Sequence, residues 1–239
     1  MKKDKEIRTA LVTGGTRGIG RSIAEKLIDD DIRVIVTGTS NNAQYPEGSI
    51  YKEVNFLDDH SFNSFEKFIL ETGIDILVNN AGINKIGGIT DIKLDDFDNV
   101  MKVNLRAPFR LSQLVIPKIK KNQWGRIVNI SSIFGNISKE YRAPYSASKF
   151  AIDGMTAAIS AEVSSFGILV NSIAPGFIDT DMTREILGEP GMKEIASSIP
   201  MKRLGKSSEI AELVSWLVSE KNTYVTSQNI IIDGGFTRV

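Results

Sequence analysis

The chain of 239 residues carries 29 basic and 29 acidic side chains, with 41% hydrophobic and 24% charged residues. That balance suits a globular chain with a sizeable core, and it excludes the strongly basic surface of a nucleic-acid binder or of a partner for anionic membranes. No cysteine is present, which excludes disulfides and thiolate chemistry, and the single histidine, His60, leaves no His-based triad or His-rich metal site.

The N-terminus "MKKDKEIRTALVT" is basic but lacks an apolar h-region, so neither a secretory leader nor a membrane span is expected, and the expected location is cytoplasmic. "TALVT" (9–13) reads as a buried strand ending in glycines. "IGRSIAEKLIDD" follows as a helix with Ile19, Ile23, Leu27 and Ile28 on one face. "RVIVT" (33–37) and the weaker "SIYKEVN" (49–55) are the second and third strands, and "SFNSFEKFIL" (61–70) is a helix that His60 flanks. "DILVNN" (75–80) is the fourth strand. A long helical pattern covers about 97–121, with Pro108 and Pro117 expected to kink or divide it. "GRIVNIS" (125–131) is the fifth strand. A helix from about 145 to 165 precedes "ILVNSIA" (168–174), the sixth. "SSEIAELVSWLVSE" (207–220) is a helix with Ser207 or Ser208 as its expected cap, and "NIIID" (229–233) is the last strand.

Strands alternating with helices imply parallel pairing through right-handed crossovers, and near-continuous Val/Ile runs suit strands covered on both faces. The expected fold is α/β: a Rossmann-type, doubly wound, parallel seven-stranded sheet with helices on both faces, in one domain over 1–239. The stretch 177–206 has no clear strand and holds Gly188, Pro190, Gly191, Pro200 and Gly205, so it reads as a lid.

"TGGTRGIG" (13–20) sits between the first strand and the first helix. Gly14, Gly18 and Gly20 allow a tight turn and close approach of backbone to a phosphate, and the helix N-terminus supplies free N–H groups. This placement points to a dinucleotide site. NAD-binding folds carry an acid about 20 residues on, yet no Asp or Glu occurs from Val34 through Gln44. Thr37, Thr39 and Ser40 offer hydrogen-bond donors there. Arg17 offers a cation, with Arg33 a more distant option, so NADP(H) is the expected cofactor.

"NNAG" (79–82), "KVNL" (102–105), "NISS" (129–132) and "YSASK" (145–149) follow in order, and "APGFIDTDMT" (174–183) and "IDGGFTRV" (232–239) close the chain. Together with the glycine loop this set resembles the short-chain dehydrogenase/reductase family over essentially the whole chain. Within it the set is most similar to bacterial 3-oxoacyl-[acyl-carrier-protein] reductases.

The resemblance implies hydride transfer between nicotinamide and a carbonyl or alcohol carbon, with Asn104, Ser132, Tyr145 and Lys149 as the catalytic set. Tyr145 is the expected proton donor. Lys149, four residues on and on the same helical face, is expected to lower the phenol pKa and to hold the nicotinamide ribose. Ser132 holds the substrate oxygen, its spacing from Tyr145 favouring it over Ser131. Asn104 resembles the family's helix-bending Asn, which holds a water linking Lys149 to solvent; the alternative is a kink residue with no proton role. Gly14, Thr16, Arg17, Gly18, Ile19 and Gly20 are the expected pyrophosphate loop. Asn80, Ala81 and Gly82 are placed under the adenosine ribose, Asn55 at the adenine, and Pro175, Gly176, Ile178 and Thr180 at the nicotinamide.

Three substrate readings stand side by side. The first is a 3-oxoacyl thioester on acyl carrier protein. Gln123 and Phe166 here replace the basic carrier-docking positions of those reductases, and Lys120, Lys121 and Arg126 are the substitutes on offer. The second is a polar small molecule such as a sugar or sugar nucleotide, motivated by Lys139, Glu140, Tyr141 and Arg142 in the loop between Ser132 and Tyr145. The third is a cofactor-binding scaffold without catalysis, which has no need of the intact set. The resemblance also implies a homotetramer or homodimer.

Overall fold

The computed structural model describes residues 7–239; the basic stretch 1–6, part of the segment read as leader-free, lies outside the described residues. Seven strands form one parallel sheet: β1 (Thr9–Val12), β2 (Arg33–Gly38), β3 (Ile50–Glu53), β4 (Ile76–Asn79), β5 (Gly125–Ile130), β6 (Ile168–Pro175) and β7 (Asn229–Ile232). Their order is β3-β2-β1-β4-β5-β6-β7. The chain therefore leaves β1 in one direction and returns to its other side at β4. The crevice above those two strand ends is where such sheets bind ligands.

Alternate residues of each strand feed two cores. Leu11, Ile35, Leu77, Ile127 and Val170 pack with Phe62, Phe65 and Ile69 of α2 (Asp59–Thr72) and with Leu111, Val115 and Ile119 of a later helix. Ala10, Val12, Val34, Val36, Val78 and Val128 face the other way, onto Ile23 and Leu27 of α1 (Gly18–Asp29) and onto Ile210, Val214 and Leu217 near the C-terminus. Burial on both faces is why these strands lack alternation in sequence.

The long helix expected over 97–121 is divided. It consists of α3 (Leu94–Met101), one π-helical turn at Lys102–Arg106 and α4 (Ala107–Lys121). Pro108 follows directly on the π turn, with no N–H to give to the carbonyl of Asn104 four residues back, and α4 continues through Pro117. The π turn contains Asn104. Its Oδ1 accepts the Ile83 N–H at 2.8 Å, and its Nδ2 donates to the Ile83 carbonyl and to Ser148 Oγ at 2.9 and 3.0 Å. Such π turns commonly mark functional positions.

Beyond β5 run α5 (Ala143–Val163), β6, then α6 (Asp181–Ser198) and α7 (Ser207–Val218). Helix α6 occupies the stretch read as a lid. It was not legible as a helix because no residue of it is fully buried, and Gly188 breaks it at φ 62°, ψ 173°. Thr180 caps it, accepting the Thr183 N–H. Helix α7 is not capped by Ser207 or Ser208, which are already helical. Lys206 holds the cap position, and Glu209 reaches back to accept its N–H at 2.7 Å. Among the described residues no helix is long and apolar enough to cross a membrane.

Candidate active site

The C-terminal ends of β1, β4, β5 and β6 open into a cleft of about 430 Å³. Gly14, Thr16, Arg17, Gly18, Ile19, Gly20, Thr37, Thr39, Asn55, Asn80, Ala81, Gly82, Ser132, Tyr145, Lys149, Pro175, Gly176, Ile178 and Thr180 all line it. Asn104 alone of the expected set does not. It is buried behind the wall, 1% exposed, with both amide N–H groups spent on Ile83 and Ser148. A water held there for Lys149 would be left the second lone pair of Oδ1 or the main chain.

The glycine loop is shaped for close approach. Gly14 sits at φ 64°, and a Cβ on Gly20 would lie 2.3 Å from both Asn80 Nδ2 and the Gly14 carbonyl. Asn80 holds this loop down, its Nδ2 donating to the carbonyls of Thr13 and Gly14 at 2.9 and 3.1 Å. Thr13, which sequence reasoning passed over, accepts the N–H groups of Asn80 and Ala81, both at 3.0 Å. The loop therefore presents backbone N–H groups at the start of α1, a cradle for phosphate.

The selectivity residues sort themselves by position. Thr37, expected as a phosphate donor, is 1% exposed, and its oxygen accepts the Gly14 N–H at 3.1 Å. It supports the loop. Arg33 opens β2, so it lies at the far end of the sheet from the cleft. Arg17 lines the cleft, is exposed, and makes no ion pair among the described residues. Asn55 spends one oxygen lone pair on the Leu57 N–H at 3.0 Å and keeps the other. No carboxylate occurs on the β2 side of the cleft to repel a phosphate, so the residues present fit a 2′-phosphorylated dinucleotide.

At the other end β5 delivers Ser131 and Ser132, and α5 delivers Tyr145 and Lys149. Ser132 is the one turned to the site: its hydroxyl faces the Tyr145 phenol. Its oxygen also caps the short 3₁₀ turn Ile133–Gly135 through the Phe134 N–H. Ser131 points back to the Lys149 carbonyl. Lys149 is buried, and its Nζ donates to the Ile130 carbonyl at 2.7 Å. Burial pulls its ammonium down to about 8, opposed by the charge of Asp153.

Desolvation pushes the phenol above its usual range, and the groups drawing it back are Ser132 and Arg142. Lys149 Nζ lies 5.5 Å from the centre of the Tyr145 ring and donates to the Ile130 carbonyl.

The loop read as a polar substrate lining turns outward. Lys139, Glu140 and Tyr141 are exposed, and only Arg142 is half-buried, its guanidinium 5.6 Å from the Phe134 ring centre. Aromatic rings flank the phenol instead. Phe134 meets Tyr145 edge-on at 6.4 Å and Phe177 at 6.3 Å, and Phe177 meets Phe236 at 5.3 Å. Arg126, offered as a docking cation, is 5% exposed and bonds the carbonyls of Gly125, Gly167 and Asn222. Lys120 lies 3.9 Å over the ring of Phe166 and stays at the surface.

The family model described as enoyl-(acyl carrier protein) reductase matches residues 14–237. The 3-oxoacyl-[acyl-carrier-protein] reductase FabG of Aquifex aeolicus is 40% identical over 240 residues, covering 95% of this chain and 96% of that protein. Among solved structures, ElxO with NADP bound superposes with a TM-score of 0.89 at 29% identity, covering 98% of this chain and 100% of that one. A putative gluconate dehydrogenase from Agrobacterium tumefaciens reaches a TM-score of 0.89 at 28% identity, covering 97% of this chain and 96% of that one.

Proposed function

The chain belongs to the short-chain dehydrogenase/reductase family, and we propose that it is an NADPH-dependent reductase of 3-oxoacyl groups carried as thioesters on an acyl carrier protein. The observation that carries this reading is the meeting of Ser132 and Tyr145 in the cleft. The 40% identity to a 3-oxoacyl reductase over nearly the full chain supports the same reading.

In this reading Tyr145 donates the proton to the carbonyl oxygen while Ser132 holds that oxygen. Burial keeps the phenol protonated at neutral pH, the form a reduction needs. Lys149 holds the nicotinamide ribose, and Asn104 fixes the Ile83 backbone and the Lys149 turn of α5 through Ser148. Gly14, Thr16, Gly18, Ile19 and Gly20 hold the pyrophosphate, and Arg17 and Thr39 read the 2′-phosphate. Asn80, Ala81 and Gly82 lie under the adenosine ribose, Asn55 at the adenine, and Pro175, Gly176, Ile178 and Thr180 at the nicotinamide. When bound, NADPH supplies the hydride; the protein supplies orientation, the proton and exclusion of water. Residues 177–206, with α6, form the cover over the substrate.

Lys120 and Lys121 are the cations left for the acidic carrier once Arg126 is buried. The chain works as a homotetramer or homodimer in the cytoplasm. An apolar groove between the α3–α4 bend and α5, lined by Met101, Leu105, Phe109, Ala151 and Met155, supports self-association.

The test is NADPH oxidation with an acetoacetyl thioester beside a panel of keto-sugars and keto-gluconate. Turnover on the thioester is expected. Turnover on a sugar and none on the thioester would replace this reading with the polar-substrate one. A kinetic preference for NADH would overturn the assignment of Arg17.

A further inference from the structure

Asp153 lies on α5 one turn beyond Lys149 and does not line the cleft. Its carboxylate is held from three directions. Oδ1 accepts the Ser172 hydroxyl of β6 at 2.8 Å, and Oδ2 accepts Asn229 Nδ2 of β7 at 2.6 Å. The turn that follows Ser132 closes on it, so that a Cβ on Gly135 would stand 3.0 Å from Oδ2 and 2.8 Å from Ser131 Oγ. Asp153 forms no ion pair within 4.0 Å among the described residues, and every direct hydrogen-bond donor is neutral.

Asp153 is half-buried with only neutral donors on its carboxylate, so part of its charge is desolvated without a direct cation. The cation nearby is Lys149, whose own direct bond goes to a neutral carbonyl. Tyr145 is the other titratable group beside Lys149 on α5; Ser131, Ser132 and Ile130 face it from β5 and its exit, and Ser148 links to Asn104, all neutral. Asp153 is the anion that acts on the ammonium.

We propose that Asp153 is a positioning residue of this site, acting through Lys149: its carboxylate anchors the Lys149 turn of α5 to β6 and β7 and supplies the counter-charge to the ammonium. This rests on the reading of Lys149 as a working group. Because β7 is the edge strand, the same anchor ties the sheet edge to the active site through Asn229.

The primary test needs neither cofactor nor substrate. Lysine labelled with ¹³C at Cε is titrated by NMR in the wild type and in Asp153→Asn, with Lys149→Arg assigning the signal. The Lys149 titration is expected to move to lower pH in Asp153→Asn and to return in Asp153→Glu. The same midpoint in wild type and Asp153→Asn would overturn the proposal, whatever happens to the melting temperature. In the reductase assay, the alkaline limb of kcat/KM is expected to move down in Asp153→Asn, costing about threefold or more at pH 8 and little at pH 6.5. Failure of every carbonyl substrate would count against the proposed function and leave the NMR result standing on its own.

Discussion

On one side of the cleft, the loop from Thr13 to Arg17 is tied to β4 by Thr13 and Asn80 and to β2 by Thr37, and its glycines leave no room for a Cβ. On the other side, α6 has no fully buried residue, is broken at Gly188, and shows Met182 and Ile186 to solvent. The first wall is fixed before anything binds. The second is held at its ends, by the Thr180 cap and by the Ile178–Gly205 bridge. A phosphate is recognised by preset N–H groups, so rigidity there lowers the cost of binding. A substrate must enter and leave, and segments that open for it come from the least stable part of a structure.

The largest effect is expected at the floor between the two walls. Tyr145→Phe should lose about 10²-fold or more in kcat while binding NADPH normally, since only the proton donor is removed. Near-normal turnover would remove Tyr145 from the chemistry. Gly20→Ala tests the rigid wall: its methyl would meet backbone of the same loop, which cannot give way cheaply. A loss of about 1–3 kcal/mol in stability is expected, with NADPH affinity weakened more than tenfold. An unchanged melting curve and affinity would mean that the loop is as adaptable as α6.

Arg142→Gln should act on pH more than on rate. The guanidinium lowers the phenol, so its removal should shift the Tyr145 titration to higher pH. In the oxidative direction, where the phenolate is the base, the acid limb of kcat/KM moves up; a limb that stays or moves down refutes the coupling.

Gly188→Ala places a side chain at a left-handed position in the cover. Global stability is expected to change little, by about 1 kcal/mol or less. Hydrogen exchange in α6 is expected to be faster than in α5 and to quicken further in the variant. A large loss of global stability would show that α6 belongs to the core.

The smallest effect is expected where the cover rejoins the body. Arg203 and the Lys206 N–H hold Glu209 down to about 2, against an ordinary 4.5. A depressed carboxylate contributes stability above its unfolded value and loses it as pH falls toward 2. Glu209→Gln should therefore lower the melting temperature slightly at pH 7 and not at pH 2. This pair is exposed, and salt should shrink the difference. An equal loss at both pH values would make the effect one of helix capping alone.

Much of this site was legible because its signals are local. The glycine loop, the Tyr145–Lys149 spacing and the strand ends at Asn79 and Ile130 are each written within a few residues. Helix α6 was invisible because exposed helices carry no apolar period. The division was sought at the prolines because Pro is the strongest local breaker; the bonds of Asn104 to Ile83, 21 residues away, carry no local signal.

The sequence by itself determined the alternation of strands and helices, hence a parallel sheet, and the order in which its motifs reach the cleft. Hydrophobic runs and turn residues are enough for that, because right-handed crossovers leave few topologies. Only the tertiary structure decided which way each side chain at the site faces. Thr37 supports a loop, Arg126 is buried, Lys149 turns to Ile130, and Asp153 meets Asn229 across 76 residues of chain. Such contacts depend on which strands become neighbours, and β5, β6 and β7 meet only once the sheet has formed.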